Sequence, residues 1–181
     1  KGIKPYYSRI MMMVARGIVS RIDDSAGIQT VQMRLQKSEV REDLERIQNY
    51  GFTSHPLPSA EGAVVFVGGN RDHGLVLAVD DRRYRIKEMA PGEVAIYTDE
   101  GDKVHLKRGK NIEIETGTLT VKASNKAVFE TPVLECTGEI LDRSGSGGIS
   151  MQSMRETFNN HKHQENPGLS GLTDVPDNLM E

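Results

Sequence analysis

The sequence predicts an all-β protein with two differently built halves. A small N-terminal OB-fold barrel comes first, and a repetitive β-structure that needs other copies of the chain follows it. Three observations point there. In the first half, pairs of β-like runs flank glycine-containing turns. From residue 93 to 143, short alternating runs follow one another with no helical period. Finally, 181 residues with 5% aromatics and no Trp supply little bulky material for a self-sufficient core.

The first hairpin is read from GIVSRIDDSAGIQTVQMRL, residues 17–35. Runs around Ile18–Ile22 and Ile28–Leu35 flank the turn Asp23 to Gly27, and Val31, Met33 and Leu35 alternate with Gln32 and Arg34. Next, Val40, Leu44 and Ile47 recur at helical spacing in KSEVREDLERIQNYG. This predicts a short amphipathic helix, capped by Ser38, ended by Gly51 and supported by a Glu42–Arg46 pair. A second hairpin follows from GAVVFVGG (62–69) and HGLVLAVDD (73–81), joined by Gly68 to Asp72. Five strands and one helix over residues 14–90 suit an OB-fold, giving a first domain at 1–91.

After Pro91-Gly92 the runs EVAIYTD, DKVHLKR, KNIEIETG, TLTVKAS, KAVFETP, VLECTG and EILDRSG are punctuated by Gly, Asn or Pro. Each strand offers only two or three inward apolar residues, too few for a core of its own. Stacked along an axis, with three copies closing a triangular prism, such strands bury their apolar faces and lose their free edges. An ordinary antiparallel sandwich is the alternative. This second region spans 92–150 and ends in the small-residue stretch SGSGGIS, read as a linker or as packing near a symmetry axis. The third, 151–181, ends in a tail rich in turn formers.

The formal net charge is −3, which is unlike a basic nucleic-acid binder. Residues 1–50 carry nine Lys/Arg against six Asp/Glu, whereas 151–181 carry two against five. Cys136 is the single cysteine, so no intrachain disulfide can form, and it is expected to be buried in a β-run. The apolar run IMMMVA near the start is too short to span a bilayer, no signal peptide is read, and the missing initial Met suggests residues upstream.

The residues that carry chemistry are His161 and His163, in NNHKHQENPG. In an extended segment both point to one side, with Lys162 opposite. Two ligands do not satisfy a metal. Around a threefold axis, however, two from each chain give six imidazole nitrogens, a closed octahedral set suited to iron(II), cobalt(II) or nickel(II) rather than zinc. Such a site is structural and couples metal binding to assembly. The alternative is a pair of exposed histidines in a polar loop. Asp174 and Asp177 could hold a hard cation such as calcium in the same way, or simply solvate a loop. His55, His73 and His105 have no cluster of carboxylates or cysteines near them in sequence and are read as structural or surface residues.

An N-terminal barrel with RGIVSRID and HPLPSAEGAVVF…DHGLVLAVDDRRYR, a β-repeat, and HKHQENPG near the end together resemble the central spike, or baseplate assembly protein V, of contractile-tailed phages, especially Mu-like ones. The resemblance implies a homotrimer in the virion, made in the host cytoplasm, with its barrels at the baseplate hub beneath the tail tube. It also implies a triple-stranded β-helix and a tip in which His161 and His163 of three chains hold one iron ion. A calcium ion near the C-terminus is implied too, with Asp174 as the candidate. The implied role is mechanical rather than enzymatic: the spike is driven through the bacterial outer membrane when the sheath contracts.

Two rival functions are weaker. A nucleic-acid-binding OB module needs a basic, aromatic-lined groove, which this acidic, aromatic-poor chain does not supply. A metal-dependent hydrolase needs an open metal position and a general base, for which Glu165 is the near neighbour.

Overall fold

The computed structural model describes residues 7, 9–36, 39–163 and 171–176. The chain divides into two compact units, Lys1–Thr120 and Val121–Glu181.

In the first unit, strands β1 (Val14–Asp23), β2 (Gln29–Arg34), β3 (Val40–Arg46), β4 (Glu61–Phe66) and β5 (Gly74–Asp80) close into a barrel in the order β1-β2-β3-β5-β4. Neighbours are antiparallel except β3 and β5, which pair in parallel through Glu45–Leu75 and Arg46–Val76. Both hairpins expected from the sequence form. The first is β1–β2; its turn is organised by Asp23, whose carboxylate accepts from the Ser25 amide and hydroxyl. The second is β4–β5, joined by a 3-10 turn at Val67–Gly69.

Alternation along the strands sends Val19, Val31, Met33, Val64, Phe66 and Val76 into the interior, all essentially inaccessible. Room for Met33 comes from a glycine pair. Gly17 of β1 faces Gly62 of β4, and a Cβ on Gly62 would lie 2.7 Å from the Met33 methyl carbon.

The predicted helix over 38–51 is not there. Val40–Arg46 is β3, antiparallel to β2. Its helical spacing arises from a bulge: the register steps from Val31–Leu44 to Met33–Arg41, and Asp43 takes a positive φ of 54°. The extra residue breaks strict alternation, so only Leu44 of the three apolar positions is buried, while Val40 and Ile47 stay exposed. The expected Glu42–Arg46 pair is replaced. Glu42 accepts from Gln32, and Arg46 donates to the Gln29 side chain and the Ser54 carbonyl. Ser38, the expected cap, lies outside the described residues, and Gly51 sits in the loop beyond the strand.

A charged network fastens the start of β3 to the β4–β5 turn. Arg71 grips both oxygens of Glu39 at 2.6 and 3.1 Å, stacks 4.1 Å over the Phe66 ring and donates to the Met12 carbonyl. Arg41 bridges Glu39 to Asp72.

The same unit carries a three-stranded antiparallel sheet, β6 (Val94–Tyr97), β7 (Lys103–Lys107) and β8 (Asn111–Glu115). Beyond it, the runs read as strands in 118–143 form no strand in this chain; the one pairing is a single bridge between Leu141 and Ser150. Cys136, expected to be buried, is exposed, because its run belongs to no sheet among the described residues. The second unit also holds a helix that the sequence reading did not anticipate, α1 (Met151–Asn160). No helix among the described residues is long and apolar enough to cross a membrane.

Candidate functional site

Two features of the fold invite a partner or a ligand: one face of the β6–β8 sheet, and the segment around His161 and His163.

The sheet register sets its face. Val94 pairs with Leu106, Ile96 with Val104, Val104 with Ile114, and Leu106 with Ile112, so these side chains share one side. Most of that side is bare in the single chain: Val94, Ile96, Ile112 and Ile114 are each more than half exposed. The other side is polar. Lys103 reaches Glu115 at 2.6 Å, and Lys107 reaches Glu113 at 2.5 Å. The Lys107 hydrogen bond holds the Glu113 carboxyl below its ordinary value, and the Glu115 hydrogen bond holds the Lys103 ammonium above its own.

On that polar side His105 is buried against Glu93, Nε2 to Oε2 at 3.2 Å. Glu93 also accepts from the Arg108 and Ala90 amides, and these backbone bonds chiefly lower its pKa. His105 is therefore a structural residue that ties the corner before β6 to β7. His55, within 3.7 Å of Asp24, and His73 lie on the surface.

The histidine pair stands at the end of α1. Ser150 caps the helix, its hydroxyl accepting from the Ser153 amide at 3.1 Å. His161 ends it in an extended conformation, φ −71° and ψ 147°. Its Nδ1 lies 2.5 Å from the Phe158 carbonyl. A carbonyl only accepts, so the proton sits on Nδ1 and the Nε2 lone pair is left free. Histidine ligands of metals are commonly oriented by such a bond. The rings of His161 and His163 approach edge to face at 5.1 Å, and Lys162 between them is exposed.

The segment of Asp174 is brought to the pair by pairing at its neighbour Thr173. The His163 amide donates to the Thr173 hydroxyl and the Thr173 amide to the His163 carbonyl, both at 2.9 Å, so the segment bearing the exposed Asp174 runs beside His163. Asp177, Glu165 and Asn166 lie outside the described residues. Among the described residues, no group of three or more His, Cys, Asp or Glu side chains is placed to hold a metal. The described residues thus offer an oriented pair of imidazoles, fit for a metal in donor type and tautomer but short in number.

Residues 16–83, essentially the barrel, match the family described as Bacteriophage Mu Gp45, N-terminal. The Baseplate puncturing device gp45 of Escherichia phage Mu is 36% identical over 145 residues, covering 80% of this chain and 74% of that protein. This chain belongs to the phage Mu gp45 family. Within the gp45 family, the Mu-like prophage FluMu protein gp45 of Haemophilus influenzae is 34% identical over 173 residues, 92% of this chain and 94% of that protein. The gp45 likeness therefore extends well past the barrel. The feature that sequence reasoning passed over is α1. Its signal was legible in SMQSMRETFNN, with a serine cap and Met151, Met154 and Phe158 at helical spacing.

Proposed function

We propose that this chain is the central spike of a contractile phage tail, a homotrimer that sits at the baseplate and pierces the bacterial outer membrane on sheath contraction. The observation that carries the reading is the bare apolar face of β6–β8, together with the chain that follows it. Leu119, Val121, Val128, Phe129, Val133 and Leu134 are all more than half exposed, in runs that make no strand within the chain. Apolar surface left bare in this way marks an interface. Two further copies would cover it, pair the free backbone groups and build a triple-stranded β-helix without open edges. The name of the phage Mu relative, a baseplate puncturing device, points to the same role.

In this reading the chain is organised as an OB barrel at the hub (1–91), a shaft (92–150) and an apex (151–181). The barrel order β1-β2-β3-β5-β4 supports the OB assignment. At the apex, His161 and His163 of three chains would hold one iron ion as a closed structural site, with Asp174 as the candidate calcium ligand. The work is mechanical and needs no catalysis or nucleic acid. Partners are the baseplate hub and tail tube proteins, within the virion.

Sedimentation equilibrium tests the reading. A stable trimer at micromolar concentration with about one iron per three chains is expected; a monomer sinks it, and one metal per chain favours an open, hydrolytic site instead.

A further inference from the structure

The helix before the histidine pair is short, and none of its residues is buried. A ten-residue helix alone in water is marginal, so α1 has to draw stability from packing. Its polar side is satisfied within the chain: Gln152 donates to Glu156 at 3.0 Å. Its apolar side is covered only in part, Met151 lining a hollow with Leu134 and Ile140. Met151, Met154 and Phe158 are each 40% exposed and lie in one row.

The spacing of that row names its occupant. Met151, Met154, Phe158 and His161 are separated by three, four and three residues, the a-d-a-d spacing by which helices of identical chains interlock. His161 is the last member of the stripe, with its ring 5.2 Å from that of Phe158. Among the described residues, the imidazole pair is incomplete as a metal site. Whatever completes it must approach at His161, and therefore also covers Phe158, one turn below. The same residue binds the histidine from inside the chain, through the Phe158 carbonyl on His161 Nδ1.

We propose that Met151, Met154 and Phe158 form a three-helix collar with the same residues of two further copies, and that Phe158 is the positioning residue that aims His161 Nε2 at the shared metal. This rests on the trimeric, metal-bound reading above and adds to it a packing element and a residue with a defined role. The collar holds three helix ends at a fixed spacing, so the imidazoles meet in register. The Phe158 ring packs at the seam while its carbonyl fixes the tautomer.

The test uses the full-length trimer, loaded with iron(II) and challenged with a chelator, in wild type, Phe158→Ala and Phe158→Leu. Phe158→Ala is expected to speed iron loss roughly 10- to 100-fold, the usual scale for removing a residue that orients a ligand, while the sedimenting mass stays trimeric. Phe158→Leu restores most of the retention, because it refills the seam. Iron loss at the wild-type rate in Phe158→Ala overturns the proposal.

A second readout needs no metal. Amide hydrogen exchange over residues 154–161 of the metal-free trimer is expected to be slow in wild type and faster by at least about tenfold in Met154→Ala. Exchange at the rate of an isolated helix in the wild-type trimer overturns the collar, even where the trimer stands. A wild-type protein that is monomeric fails the function proposed above, and the collar with it. A trimer that binds no iron but protects α1 removes the metal reading and leaves the collar in place.

Discussion

Replacing Ile112 by Ala tests the assembly surface directly. Ile112 leaves 64% of its surface exposed in the single chain, on the apolar side of β8. Fully burying an isoleucine side chain is worth about 1.5–3 kcal/mol, so covering the exposed part contributes about 1–2 kcal/mol. Three symmetry-related copies multiply this to about 3–6 kcal/mol per trimer, or roughly two to four orders of magnitude in the dissociation constant. The assay is sedimentation velocity over a dilution series. The control is Glu115→Gln on the opposite side, whose pair with Lys103 is exposed and screened by solvent, so that its loss should leave dissociation almost unchanged. A trimer from Ile112→Ala that dissociates like wild type, with Glu115→Gln equally silent, refutes the claim that this face is buried between copies.

Three further outcomes are expected. Met33→Ala empties the centre of the barrel and should cost about 2–5 kcal/mol in chemical denaturation of the first transition, because Met33 is fully buried. Glu39, gripped by Arg71 and then Arg41, has its pKa lowered to about 2 from 4.5. The unfolded chain therefore takes up this proton first, so the stabilisation is complete above about pH 4.5 and fades as the pH falls toward 2. Discounted for partial exposure this is about 1–2 kcal/mol, and Glu39→Gln should flatten that acid-side slope in denaturation measured from about pH 5 to pH 2. His161→Ala combined with His163→Ala should abolish bound metal by elemental analysis while the sedimenting mass stays unchanged; loss of the oligomer would mean that the apex, not the shaft, carries assembly.

Much of the barrel was legible because its signals are local. The Asp23–Gly27 and Gly68–Asp72 turns announce their hairpins, and the alternation of Val31 and Met33 with Gln32 announces which side is buried. The β3 strand was not legible, because a bulge at Glu42–Asp43 shifts the side-chain period and imitates a helix; what decides it is pairing with β2 and β5, partners far away in sequence. The runs after residue 116 alternate as strands do, yet beyond β8 the described residues form no strand there, so alternation alone did not settle their structure. Of the histidine pair, the sequence gives the same-side geometry of His161 and His163. The Phe158 carbonyl that selects the tautomer is invisible without the helix end that brings it within reach.

The ladder of Lys103, Lys107, Glu113 and Glu115 on the polar side of β7 and β8 bears on what happens before assembly. In the assembly proposed above, a newly made chain carries the bare apolar side of β6–β8 until partners arrive. Such intermediates are where proteins are lost to precipitation. Paired charges of both signs along one side discourage strands from stacking indiscriminately through that side, and leave the apolar side as the way two chains can meet. If that assembly holds, the ladder acts as a gatekeeper for solubility while chains join.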